Sequence, residues 1–222
     1  MSSINSQRKG CKDVFNAFLV KNATYAGELE IPCIKPIKEI PNKMISFSKA
    51  VSKYNDDYNQ WIHFYEDDYA FERIWNNPRY YLEKIKMFRG VISPDFSLYR
   101  DMPLVMQQWN IYRNRAIGSW LQMNGVNVIP NVRFGDKRTY DICCEGIDSG
   151  SIIAIGSHSN LKNKYDRNVF LDGLDAVVNN ISPETIIIYG AAPKKYFDKY
   201  IQQGIRIVQF DSSFATSHKG VL

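Results

Sequence analysis

The chain has 222 residues, of which 45% are hydrophobic, 14% aromatic and 23% charged. This suits one sizeable α/β domain better than two, and it excludes disorder as a global description. The 28 basic and 23 acidic residues leave a formal charge of +5, which permits an anionic partner but lacks the dense Lys/Arg stripe of a dedicated nucleic-acid binder.

No apolar run approaches the roughly 20 residues needed to cross a bilayer, and the opening MSSINSQRKG lacks a signal-peptide core. A cytoplasmic protein without membrane contact is the expectation. Cys11, Cys33, Cys143 and Cys144 show no CxxC spacing and read as reduced thiols, which behave mostly as small buried hydrophobes.

Residues 1–42 form an arm. A short helix is expected over 13–21, then an extended stretch around Ile31-Pro32-Cys33-Ile34-Lys35-Pro36, whose prolines forbid a regular helix. From residue 43 to 211 short strand-type runs alternate with longer amphipathic stretches. The expected strands are 44–48, 61–65, 90–93, 127–133, 151–156, 185–189 and 205–210. Several are nearly uninterrupted and β-branched, as strands buried on both faces of a parallel sheet must be.

Between them, Val105, Trp109, Tyr112, Ala116, Trp120 and Met123 recur at helical spacing as one apolar stripe, ended by Gly125. A second helix is expected from about residue 168 to Ile181, and a third from Pro193 to Gly204, proline first and glycine last. Residues 212–222 are small and polar and read as a flexible tail. Seven strands with intervening helices suit a small or incomplete parallel barrel, or else an open doubly wound sheet. The missing glycine fingerprint after any strand favours the barrel.

Both architectures put ligands at the carboxyl ends of the strands. That nominates His63, Glu66, Asp67 and Asp68, then Asp95, Arg133 and Asp136, Ser157 and His158, Tyr189, and Asp211. Carboxylates converging there, with Asp95, Asp101 and Asp67 as catalytic candidates, could provide general acid–base chemistry or hold a divalent metal. The same residue types also cap helices that follow strands. No paired-histidine metal motif, nucleophile elbow or Walker loop is present. The densest polar block runs from Ser93 to Pro103 and on through Gln107, Gln108, Asn110, Arg113, Asn114 and Arg115. Ser97 or Asp101 is expected to cap the helix, with Pro103 in its first turn. An Arg113–Asp95 pair is expected, either fixing the strand end to the helix or forming an anion clamp.

The run Ser93-Pro94-Asp95-Phe96-Ser97, then Asp101-Met102-Pro103, Gln108-Trp109-Asn110, Tyr112-Arg113-Asn114-Arg115 and Gly118, and Gly125 with Val128-Ile129-Pro130, resembles a family of unknown function. That family is found in phages, plasmids and other mobile elements of mainly Gram-positive bacteria. Gly146-Ile147, Ser151, Phe170, Gly173 and 183–190 also fit its pattern. The resemblance implies a mobile-element accessory protein in the host cytosol, and it carries no assigned catalytic residues.

On this reading the chain acts on or binds a phosphate-bearing ligand, a nucleic acid or a nucleotide, through Asn110, Arg113, Arg115, Arg133, His158 and Tyr189. One alternative is a non-catalytic phage inhibitor of a host defence protein or of its signalling nucleotide, with aromatic anchors such as Tyr54, Tyr58, Trp61, Tyr65, Tyr80 and Tyr81. The other is a small barrel enzyme using paired carboxylates on a small molecule.

Overall fold

The protein is described here by a computed structural model that covers residues 13–157 and 161–212. Every one of the seven expected parallel strands is present, six of them within two residues of the expected length and the expected 127–133 strand cut to Val128–Ile129. They are β3 (Met44–Ser46), β4 (Trp61–His63), β5 (Gly90–Ile92), β6 (Val128–Ile129), β7 (Ile152–Gly156), β8 (Thr185–Tyr189) and β9 (Arg206–Phe210). Preceding them is a two-stranded hairpin, β1 (Tyr25–Ala26) and β2 (Ile31–Pro32), after a single 3-10 turn at Ala17–Val20 in place of the expected longer helix. Among the described residues the α-helices are, in chain order, α1 (Phe47–Ala50), α2 (Asp68–Asn76), α3 (Pro78–Ile85), α4 (Leu104–Met123), α5 (Lys164–Ile181) and α6 (Lys194–Gln202).

The strands pair in sequence order, β3-β4-β5-β6 and β7-β8-β9, all parallel. A parallel bridge from Asn131 to Ala154 joins the two sets, with Val132 N donating to Ala154 O at 2.8 Å and Ala154 N to Pro130 O at 3.0 Å. A doubly wound sheet reverses its strand order at a switch point; this one never does. Its curl is equally decisive. β4 and β8 are four places apart, about 19 Å in a flat sheet at ~4.8 Å per strand, yet the rings of His63 on β4 and Tyr189 on β8 are 4.6 Å apart, centroid to centroid. The sheet is rolled into an incomplete parallel barrel. Among the described residues β9 and β3 do not pair.

Alternation along the strands sorts their side chains between two environments. Trp61, Ile92, Ile129, Ile152, Ala154 and Ile187 fill the barrel interior, with Ile37, Ile40 and Met44 packed against them. Ile62, Val91 and Val128 face outward into a first helical layer, while Ile153, Ile155, Ile186 and Ile188 face a second. Both faces are therefore apolar, which is why the strands read as unbroken hydrophobic runs. Gly90 makes room for the interior: a Cβ there would lie 2.4 Å from the Trp61 ring.

α4 departs from the apolar stripe expected of it. Val105, Trp109 and Met123 are exposed at 69%, 42% and 45%, whereas Asn110, Arg113, Asn114 and Arg115 are all buried. The middle of α4 is enclosed on nearly every side, so the polar residues had to find partners inside. Nor does Ser97 or Asp101 cap it: the residue before the helix is Pro103, and no side chain caps its first turn.

Candidate functional site

The carboxyl ends of the strands open into one concave mouth. Its lining includes Ser46, Ser48 and Lys49 after β3, His63, Tyr65 and 66–68 after β4, Asp95 and 97–101 after β5, Arg133 after β6, Gly156, Tyr189 and 210–212. The structure thus brings Asp67, Asp95, Asp101, Arg133 and Tyr189 to one place. His158 and residues 213–222 lie outside the described residues.

At the floor of the mouth a hydrogen-bonded chain crosses from β4 to β6. Tyr65 Oη donates to Asn131 Oδ1 at 2.9 Å, Asn131 Nδ2 donates to Asp95 Oδ1 at 2.7 Å, and Arg133 Nη1 donates to Asp95 Oδ2 at 2.5 Å. The Asp95 side chain is only 8% exposed, but that of Arg133 is 36% exposed. Asp95 therefore acts as a buried support, and the guanidinium it holds faces the mouth. Burial pushes the Asp95 carboxyl above its ordinary value, with Arg133 and Asn131 pulling against that shift. Burial also raises the Tyr65 hydroxyl, with the Asp95 charge adding to the effect, so Tyr65 stays protonated and donates.

Beside this chain stand three rings. Tyr65 and Tyr189 stack at 4.6 Å with an interplanar angle of 12°, and His63 lies 5.6 Å from Tyr65. Gly156 allows the stack, because a Cβ there would come within 3.1 Å of the Tyr65 ring. Burial, with the Lys49 charge adding to it, brings the His63 imidazole down to about 3. His63 is therefore neutral, and its Nδ1 accepts the Tyr65 N–H at 3.2 Å.

The expected Arg113–Asp95 pair does not form. Arg113 Nη1 bonds to Glu72 Oε1 at 2.5 Å and Nη2 to Asn110 Oδ1 at 2.7 Å, and the guanidinium lies 3.9 Å from the Phe96 ring centre. It fastens α2 to α4. Asn110 Nδ2 donates to Ser97 O at 2.6 Å.

Arg115 is fully buried. It donates to Asn131 O at 3.0 Å, Glu145 O at 3.1 Å, Cys143 O at 2.6 Å and Asn114 Oδ1 at 2.5 Å. Asn114 in turn accepts from Ser93 Oγ at 2.9 Å and donates to Pro94 O, while Ser93 Oγ accepts from Asn131 N at 2.8 Å. Asn110 and Arg115, with Asn114, Asn131, Arg133 and Cys143, line a small pocket of about 10 Å³ next to the mouth, room for about one water.

Asp67 and Asp101 are exposed on the rim. Asp68 is tied down instead, accepting from Ser97 N at 3.1 Å and Ser97 Oγ at 2.8 Å. Asp136 pairs with Arg138 at 2.9 Å, and Ser157 Oγ donates to Ala191 O at 2.7 Å. Among the described residues no three His, Cys, Asp or Glu side chains come together to hold a metal ion. No helix among them is long and apolar enough to cross a membrane.

Two residues of the floor carried no site expectation. Tyr65 drew notice only as an aromatic. Asn131 drew none, although an Asn ending the apolar run Val128-Ile129-Pro130 is a signal in itself, since Asn is depleted in strands unless its amide is used.

An incomplete parallel barrel with a polar and aromatic mouth at its strand ends defines a class of ligand-site scaffold, not an activity. Comparison with known proteins places it further. Residues 23–211 match the family described as "Domain of unknown function (DUF4417)", and the chain belongs to that family. It is 32% identical over 186 residues to the "Gene 1 protein" of Mycobacterium phage L5, covering 83% of this chain and 80% of that one. It is 31% identical over 186 residues to the "Gene 1 protein" of Mycobacterium phage D29, covering 83% and 68%. No solved structure matches.

Proposed function

We propose that this chain is a phage-type accessory protein whose strand-end mouth binds a small phosphate-bearing molecule of the nucleotide kind. The observation that carries the reading is Arg133, whose side chain lines the mouth, is one-third exposed and is held by a buried carboxylate. A bidentate cation fixed by such a support loses little freedom when it meets a phosphate. The stacked Tyr65 and Tyr189 rings beside it suit a planar heterocycle.

The charge of the lining favours a nucleotide over a nucleic acid. Lys49, Arg100 and Arg133 face Glu66, Asp67, Asp68, Asp95, Asp101, Asp166 and Asp211. That excess of acids repels a polyanionic strand, which binds mainly by phosphate neutralisation. A single small ligand anchored at one arginine escapes most of the repulsion.

The test is native mass spectrometry of the purified full chain for a co-purifying small molecule, followed by titration with nucleoside mono-, di- and triphosphates and cyclic dinucleotides. Arg133→Met should weaken binding at least tenfold in protein still folded by circular dichroism, with a lower urea midpoint because the buried Asp95 carboxylate loses its cation. Equal binding by wild type and variant, or none by wild type, overturns the reading.

A further inference from the structure

Cys143 and Cys144 lie in the 3-10 turn Ile142–Cys144, with Cys143 lining the small pocket next to the mouth, and the reading above makes no use of them. Both are buried, at 0% and 8% exposure. Their Sγ atoms are 3.9 Å apart and share the Tyr140 carbonyl, at 3.2 and 3.4 Å. Neighbours on a 3-10 turn point roughly 120° apart, so sequence adjacency alone does not produce this convergence.

The second observation is the cation beside them. Arg115 is buried to 1% exposure, and among the described residues it makes no ion pair with a carboxylate. The ionisable groups acting on it are Cys143, Cys144 and Cys33. Its guanidinium donates to the Cys143 carbonyl itself. A buried charge without a counter-charge costs several kcal/mol, and here the guanidinium's hydrogen bonds go to main-chain carbonyls and Asn114, with the cysteines as the ionisable groups around it. The hydrogen bond with Cys143, helped by the Arg115 charge, holds the Cys144 thiol below its ordinary value, while burial holds Cys143 well above. Cys144 is the more exposed of the two, so it is the sulfur an oxidant meets first, and Cys143 behind it is the thiol that resolves.

We propose that Cys143 and Cys144 are an oxidisable dithiol site, activated by the buried Arg115 guanidinium, which a hydroperoxide closes to a vicinal disulfide. Cys144 Sγ attacks one peroxide oxygen and the O–O bond breaks. An S–O bond forms, and the other oxygen leaves as water or an alcohol after taking a proton. Cys143 Sγ then attacks the Cys144 sulfur: the S–S bond forms, the S–O bond breaks, and hydroxide leaves with the Cys143 proton as water. Two thiols and one hydroperoxide give one disulfide, one water, and one further water or alcohol. Closure draws the sulfurs from 3.9 Å to about 2.05 Å. It must therefore disturb the turn whose 143 and 145 carbonyls Arg115 holds.

The experiment needs no variant for its first reading. The reduced full chain is treated with hydrogen peroxide, denatured in an alkylating reagent and digested with trypsin. The peptide 139–162 should lose two hydrogens, escape alkylation and regain both thiols on treatment with dithiothreitol, while Cys33 stays alkylated. In a second arm, Cys143→Ser should trap a sulfenic acid that dimedone captures, and Cys144→Ser should not. Full alkylation of both cysteines after peroxide, a cross-link to Cys33 or Cys11, or dimedone capture only in Cys144→Ser overturns the proposal.

Discussion

The polar lattice behind Asn131 and the mouth in front of it are built from the same residue types, yet they differ in what is left over. Behind, Arg115, Asn114 and Ser93 spend their hydrogen bonds on one another and on main-chain carbonyls. In front, Arg133 meets Asp95 through one nitrogen and keeps a third of its side chain open. Asn131 belongs to both, with its main chain facing the lattice and its amide facing the mouth. A polar motif at a strand end can hold a ligand only through capacity the fold has not consumed. By that measure Arg133 qualifies and Arg115 does not.

The largest effect should come from the closed side. Arg115→Met leaves the carbonyls of Cys143 and Glu145 without their donor inside the protein, and a buried unsatisfied polar group costs about 1–3 kcal/mol. A loss of about 3 kcal/mol or more is expected, read as a lower urea midpoint at unchanged m-value. Because Asn131 is shared, ligand binding should fall as well. A stable Arg115→Met protein would mean that the lattice does not hold the mouth in place.

His63 gives the next effect, and its sign is fixed by its environment. Its folded value is about 3, against about 6.5 in an unfolded chain. Between those values the unfolded state binds a proton that the folded state refuses. Stability is therefore complete above about pH 7 and is lost as pH falls, by about 2 kcal/mol near pH 5. His63→Phe keeps a ring beside the Tyr65–Tyr189 stack and removes the proton. Its urea midpoint should fall less between pH 7 and pH 5 than that of wild type. Parallel pH profiles would show that His63 is not held neutral.

Much of the scaffold was legible in the sequence, and the reason is chemical. Runs such as Thr185-Ile-Ile-Ile-Tyr189 have no polar residue to turn toward solvent, so they had to be strands covered on both faces. The strand order was not legible, because periodicity says nothing about which strands are neighbours; the barrel rests on ladders and on the contact between His63 and Tyr189.

α4 misled for the opposite reason. Its apolar spacing is real, but a helix enclosed on nearly every side also buries residues off the stripe, and Asn110, Arg113, Asn114 and Arg115 are accommodated by partners that spacing cannot show. For Asp95 the sequence located the acid but not the cation. Arg113 was the near choice along the chain, and Arg133, one strand over, was the near choice in space.

The smallest effect tests the outer edge of the mouth. Arg100 on the β5–α4 loop bonds to Asp166 on α5 at 2.5 Å, lies 4.8 Å from the Tyr165 ring centre, and has its carbonyl held by Arg138 at 2.7 Å. The pair is partly exposed, at 39% and 29%, and pairs open to water contribute little to global stability because water and salt screen them. Its work is local, tying the loop to the far wall. Arg100→Ala should leave the urea midpoint unchanged within error but speed amide hydrogen exchange over residues 97–103. Exchange confined to that loop would mark the rim as opening independently of the lattice behind it. If the whole chain were destabilised as in Arg115→Met, the rim and the lattice would be one cooperative unit, and the distinction between a closed back and an open front would fail.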